Sequence, residues 1–256
     1  MGIHDISSRS NPAFRNFLRL LGGQGVKKQG LSLLSGPKQV KEVLLEFPDR
    51  CEAVILTRGH SLPIPGGIGS YRLSAELFGE IDVYGTRQPI LVVRFKPLSA
   101  WNPTKPPPGC TLFIPFQDPS NVGAVIRSAA AFGVSQTVVL KEGAHPFHHK
   151  SIKVAGSAIF RVPVFAGPSI RDLGSERFPI ITLSPAGQEI GNFEFPATFG
   201  LLPGVEGPGL PPNLGHLTSL SIPMSGGVES LNAALATGIA LYVWRSGVSS
   251  FANRRR

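Results

Sequence analysis

FQDPSNVGAVIRSAAAFGVSQTVVL, residues 116–140, decides how the rest of the chain is read. An apolar run at 111–115 precedes it and a β-branched run at 137–140 closes it, so the spacing predicts strand, turn, helix, strand. Asp118-Pro119-Ser120-Asn121 supplies turn chemistry and several possible caps, which predicts a helix beginning near Asn121 or Val122. Val122, Val125, Ile126, Ala129 and Phe132 recur at helical spacing and are expected to face a sheet. Ala124, Ser128 and Ala131 form a second face of small side chains, with Arg127 at its edge. Such a face admits a backbone, a ligand or a second subunit at close range. An arginine beside it is poorly explained by core packing. Gly133 is the expected stop.

Two later stretches share the alternation of apolar run and glycine-bearing loop. At 200–210, GLLPGVEGPGL, a short strand runs into Pro203-Gly204, and Glu206 follows among glycines. Glycines let a backbone approach a ligand, and a carboxylate between them can accept hydrogen bonds. At 221–244, SIPMSGGVESLNAALATGIALYVW, a strand ends in a loop with free backbone groups. Ser230 is the expected cap of a helix reaching about Trp244, with Leu231, Ala234, Leu235 and Ile239 along one face.

The first hundred residues alternate helices and strands, which predicts a small α/β/α unit. Asn11-Pro12 opens a helix over 13–21; strands are expected at 31–34, 53–57 and 90–95, and helices at 38–47 and 74–78. The glycine clusters at 22–25 and 66–69 lack the strand-then-helix context of a dinucleotide fingerprint and are expected to be flexible turns. Lys27, Lys28 and Lys38 suit either phosphate contact or a solvated surface. The proline-rich stretch 96–109 reads as a stiff spacer, with a boundary near 105 and Trp101 free to pack on either side. Three histidines at 145, 148 and 149 make zinc conceivable. No cysteine or carboxylate cluster lies at ligand spacing, which favours a solvent-facing loop.

With 256 residues the chain is long enough for two modest domains or one large one. A formal net charge of +9 and a pI near 10.0 favour a polyanionic partner. No apolar run approaches the ~18–20 residues of a membrane span. The two cysteines form neither a disulfide framework nor a metal spacing, so a reducing cytoplasm is the expected setting.

The pattern Asp118-Pro119-x-Asn121-x-Gly123-x-x-x-Arg127, followed by Ala129 or Ala131 and Gly133, resembles the first motif of the SpoU (TrmH) family of RNA ribose 2′-O-methyltransferases, in the SPOUT superfamily. Residues 204–209 resemble its second motif. Ile222-Pro223-Met224 and Ser230-Leu231-Asn232 resemble its third. Three motifs in the right order over about 125 residues make coincidence a poor account. The resemblance implies an α/β chain with a trefoil-knotted methyltransferase domain at 110–247 and a small N-terminal RNA-binding domain at 1–98. A linker at 99–109 and a basic tail at 248–256 complete the division. It implies S-adenosyl-L-methionine as cofactor, held through Gly204, Ile222, Leu231, Met224 and Gly226. It implies Arg127, Asn121, Glu206, Ser230 and Asn232 around the acceptor ribose, with no metal. It further implies a homodimer acting on RNA, ribosomal RNA foremost. A transfer RNA methyltransferase and a non-catalytic RNA-binding protein on the same fold are the alternatives.

Overall fold

The computed structural model describes residues 2–204, 211–226 and 229–253. Two compact units divide the chain, and the division is not a single cut. Residues 1–97 and 145–160 form the first unit, and 98–144 with 161–256 form the second. The stretch 145–160 thus leaves the sequence of the second unit and joins the first.

The first unit contains β1 (His4–Ile6), α1 (Pro12–Arg19), α2 (Gly23–Gln29), β2 (Leu31–Leu34), α3 (Pro37–Glu46), β3 (Cys51–Thr57), β4 (Gly69–Leu73), α4 (Ala75–Ile81) and β5 (Ile90–Arg94). The sheet order is β1-β4-β3-β5-β2, parallel from β1 through β3 and antiparallel beyond. Asn11 starts α1 as expected, its Oδ1 accepting from the Ala13 amide at 2.9 Å, and Pro12 needs no partner in the first turn. Phe14 and Phe17 of α1 join Leu77, Phe78 and Ile81 of α4 on a core with Leu33, Ile55 and Ile90.

The glycine cluster at 22–25 departs from expectation. It opens helix α2, and a Cβ on Gly25 would fall 1.9 Å from the Arg19 carbonyl oxygen of α1. The glycine is there for close helix contact, not for flexibility. The second cluster ends in Gly69, the first residue of β4.

The second unit contains β6 (Gly109–Ile114), α5 (Pro119–Phe132) and β7 (Gln136–Val139). The chain then supplies α6 (His149–Ala155) to the first unit and returns as β8 (Val164–Ala166), β9 (Ile180–Glu189), β10 (Thr198–Leu202), β11 (Thr218–Ser221) and α7 (Ala233–Asn253). Its six strands, in the order β11-β9-β10-β6-β7-β8, are parallel throughout. A parallel sheet must be covered on both faces, and its strands read as near-continuous apolar runs. Cys110, Leu112, Phe113 and Ile114 of β6 are all fully buried.

Residues 98–108 are no free spacer. The Trp101 amide donates to the Ala166 carbonyl at 2.8 Å, and the Ala166 amide to the Ser99 carbonyl at 2.9 Å. The indole packs edge-on against Phe113 and Phe178, so Trp101 belongs to the core of the second unit.

The histidine turn is likewise no solvent loop. Pro146, Phe147 and His149 are buried. Within the first unit Phe147 stacks on Phe95 with ring centroids 4.1 Å apart, and its carbonyl accepts from Ser32 Oγ at 2.6 Å. Apolar Phe147 and the carbonyl bond outweigh the polarity of three imidazoles. Among the described residues no group of His, Cys, Asp or Glu could hold a metal ion. None of the described helices is long and apolar enough to cross a membrane.

Candidate active site

A parallel sheet places its binding crevice beyond the carboxyl ends of the strands, where the order reverses. Here the chain leaves β6 toward β7 and β8, then returns on the far side through β9 and β10. The reversal lies between β6 and β10. The loop after β6 carries Asp118 and leads into α5, which carries Asn121; the loop after β10 carries Gly204.

Helix α5 starts earlier than the residue spacing predicts. Asp118 is the cap, its Oδ1 accepting from the Ser120 amide at 2.8 Å, and Pro119 occupies the first helical position. Asn121 therefore sits inside the first turn, half-buried, and Arg127 is exposed further along the helix. Val122, Val125, Ile126 and Ala129 are buried as expected. Gly133 ends the helix in the left-handed conformation, φ 70°.

Gly204, half-buried, follows β10 directly. A Cβ there would approach the Leu183 carbonyl oxygen at 3.3 Å. Leu183 begins an excursion in β9: Thr182 pairs with Ser219, yet the next pair is Gln188 with Leu220, so residues 183–187 bulge from the ladder. This bulge beside Gly204 was not anticipated. Ser184-Pro185-Ala186-Gly187 carries the turn signal that could have found it.

Beyond β11 the chain bears Ile222 and Met224, both half-buried, and Gly226, exposed. Ser230 is exposed and does not cap the last helix. Asn232 does, its Oδ1 accepting from the amides of Ala234 at 3.0 Å and Leu235 at 3.1 Å. Its Nδ2 donates to Asn121 Oδ1 at 3.3 Å. One side chain thus caps α7 and ties it to the first turn of α5, across 111 positions of sequence. Leu231 precedes the helix, half-buried, and Leu235 is 55% exposed instead of lying on the inner face. The helix continues to Asn253, through positions expected to form a tail: no proline interrupts it, and Gly247 costs only about 1 kcal/mol. Glu206 lies outside the described residues.

The structure therefore joins Asn121 to Asn232 and sets the Asn121 turn and Gly204 on neighbouring strand ends. A model of the SpoU rRNA Methylase family matches residues 112–242, half of the chain. The chain belongs to that family. The SpoU segment runs from β6 into α7 and contains every residue of the site just described.

Among curated relatives, the chain is 47% identical over 252 residues to "Ribosomal RNA small subunit methyltransferase G 2" of Syntrophobacter fumaroxidans, covering 96% of this chain and 50% of that protein. It thus spans about half the length of that relative. It is 27% identical over 245 residues to the 23S rRNA (guanosine(2553)-2′-O)-methyltransferase RlmP of Bacillus subtilis, covering 93% of this chain and 97% of that protein. Among solved structures, the AdoMet-bound rRNA methyltransferase from Sinorhizobium meliloti has the same fold, with a TM-score of 0.76 over 96% of this chain and 98% of that one, at 21% identity.

Proposed function

We propose that the protein transfers a methyl group from S-adenosyl-L-methionine to a ribose 2′-hydroxyl of ribosomal RNA. The observation that carries this reading is the Asn232–Asn121 hydrogen bond, which unites the first and third motifs at the carboxyl edge of the parallel sheet. Membership of the SpoU rRNA methylase family supports it.

The cofactor supplies an electrophilic methyl group on a sulfonium. Its pocket is assigned to the loops after β10 and β11, where backbone groups of Gly204, Ile222 and Leu231 would hold it and Met224 and Gly226 would close it. The tight space at Gly204 fits this: any side chain there would press on the Leu183 carbonyl. Methyl transfer then needs alignment of the acceptor more than activation of the leaving group. Asn121 and Asn232 orient the ribose, with Ser230 and Glu206 completing the polar lining. Arg127 grips the adjacent phosphate and stabilises the charge developing on the 2′-oxygen. A guanidinium with a pKa above ~12 is a poor base, so the proton leaves through water or a substrate phosphate.

The first unit is assigned to RNA binding. It carries 15 Lys and Arg against 8 Asp and Glu, whereas the second carries 10 against 8. A trefoil knot is assigned to the stretch from β9 to α7, in keeping with the strand order β11-β9-β10 and the family. A cytoplasmic setting accords with two free cysteines. The protein is further read as a homodimer, on the strength of Leu235 and Tyr242, 55% and 60% exposed and two turns apart on α7.

The test is methyl incorporation from labelled S-adenosyl-methionine into purified ribosomal and transfer RNA. Incorporation into ribosomal RNA at a 2′-position supports the reading. Incorporation into transfer RNA alone, or cofactor binding without transfer, overturns it.

A further inference from the structure

One loop of the first unit is tied by several hydrogen bonds around a residue of unusual backbone conformation. After α4, the Asp82 carboxylate is buried and accepts from the Arg87 amide at 2.6 Å and from Thr86 Oγ1 at 3.3 Å. The Gly85 amide donates to the Asp82 carbonyl at 2.9 Å. Arg87 adopts φ 54°, the one non-glycine with positive φ among the described residues. A bulky residue in that region is strained and persists only where its surroundings over-determine it; such strain clusters at functional sites.

The strained loop displays Val83, 47% exposed, then Tyr84, and Arg87, which is exposed. The Tyr84 ring is immobilised by the inserted stretch 145–160. Lys153 Nζ lies 3.1 Å from the ring centroid, and the hydroxyl meets His149 Nδ1 at 3.5 Å. Lys150, exposed, stands on the same short helix α6. The stretch 145–160 contains no acidic residue, and neither does 83–96. Asp82, the carboxylate that opens the loop, is committed to the loop's own Arg87 amide and Thr86 hydroxyl.

We propose that the Tyr84 loop and the adjoining part of α6 form a stacking platform for an unpaired RNA nucleotide, separate from the one methylated, with Arg87 and Lys150 on its phosphates. The inference rests on the reading of the protein as an RNA methyltransferase. A half-exposed aromatic ring held by a cation over one face, with exposed Arg87 on its own loop and exposed Lys150 on α6, matches the chemistry of a splayed base and its backbone. Paired RNA shows an aromatic ring only base edges and sugar, because the base faces are stacked. An acidic peptide would satisfy the cations but give no reason to pin the ring or strain the loop.

The full-length protein is titrated by fluorescence anisotropy with a labelled short oligoadenylate and with a fully paired RNA duplex of the same length. Tyr84→Ala should weaken oligoadenylate binding about tenfold or more and leave the duplex unchanged. Tyr84→Phe should keep the affinity, and thermal melts report whether each variant is folded. Lys150→Gln should lower the salt slope on the single strand by about 0.7. Arg87→Gly relieves the backbone, so it should raise the melting temperature by about 2–4 °C while weakening single-strand binding. Oligoadenylate affinity unchanged in Tyr84→Ala, or both probes weakened alike in that folded variant, overturns the platform; so does capture of an acidic peptide in preference to RNA. Methyl incorporation by the unmodified protein is measured in parallel. Incorporation without Tyr84-dependent binding overturns the platform alone. Tyr84-dependent binding without incorporation upholds the platform and removes the enzymatic reading.

Discussion

Asn232 shows how much one amide can separate. Its oxygen caps α7 and its nitrogen reaches Asn121. Asn232→Asp keeps the acceptor and removes the donor, so it should retain the unfolding free energy while methyl transfer falls. Asn232→Ala loses both and should also cost about 1 kcal/mol in urea unfolding. Ser230→Ala should stay within about 0.5 kcal/mol, since Asn232 and not Ser230 caps α7. Equal stability losses in Ser230→Ala and Asn232→Ala would contradict this assignment. Arg127→Ala should abolish transfer with cofactor affinity retained by calorimetry, and Arg127→Lys should restore little, because a point charge lacks the planar two-pronged grip. Gly204→Val should abolish cofactor binding through the contact with Leu183.

Two elements carry predictions of their own. Helix α2 lies against α1 only because Gly25 has no side chain. Gly25→Ala should cost about 1–3 kcal/mol by forcing the helices apart. Calorimetry should find cofactor affinity untouched, since Gly25 belongs to the first unit. At the start of α6 and the turn before it, burial first, then nearby cations, pushes His145 and His149 down to about 4. Both are neutral in the fold near pH 5–6, while unfolded histidines, near 6.5, take up protons. The unfolded chain therefore binds more protons in that window, and stability rises with pH. Full stability is expected above about pH 6.5, with loss as pH falls toward about 4. The slope is at most about 1.4 kcal/mol per pH unit for each histidine, reduced by solvent screening at the partly exposed His145. Denaturant melts of the His145→Gln/His149→Gln double variant should show a flatter pH dependence; an unchanged slope would place the titration elsewhere.

At the scale of the whole molecule, the small-residue face of α5 needs a new account. It is met in part by α7 of the same chain: a Cβ on Gly238 would sit 3.5 Å from Ser128 Oγ, and Phe132 meets the Tyr242 ring at 6.2 Å. The physical case for a twofold partner passes to exposed Leu235 and Tyr242, with exposed Ala131 on α5. Leu235→Asp should yield monomers by sedimentation and lower transfer together, because Asn232 lies within one turn. An unmodified protein that sediments as a fully active monomer at micromolar concentration would remove the dimer. The two-part first unit also constrains truncation. A fragment beginning at Pro106 would lose Trp101 from its core and leave Phe147 without Phe95, so RNA binding is better separated from catalysis by point variants.

Local chemistry alone determined much of this protein. Short apolar runs marked β6 and β10 and a β-branched run marked β7; helical spacing marked the buried face of α5; three motifs in order marked the family. These signals are short-range and survive without a partner. Tertiary structure decided what depends on distant residues. Gly22 to Gly25 look flexible until α1 closes on them. The histidine turn looks solvated until Phe95 and Ser32 cover Phe147. Ser230 and Asn232 are equally good caps by composition, and Asn232 takes the role where its amide also reaches Asn121. The inserted stretch 145–160 joins the first unit because its phenylalanine rings find their stacking partners there, a choice made by burial that no local pattern encodes.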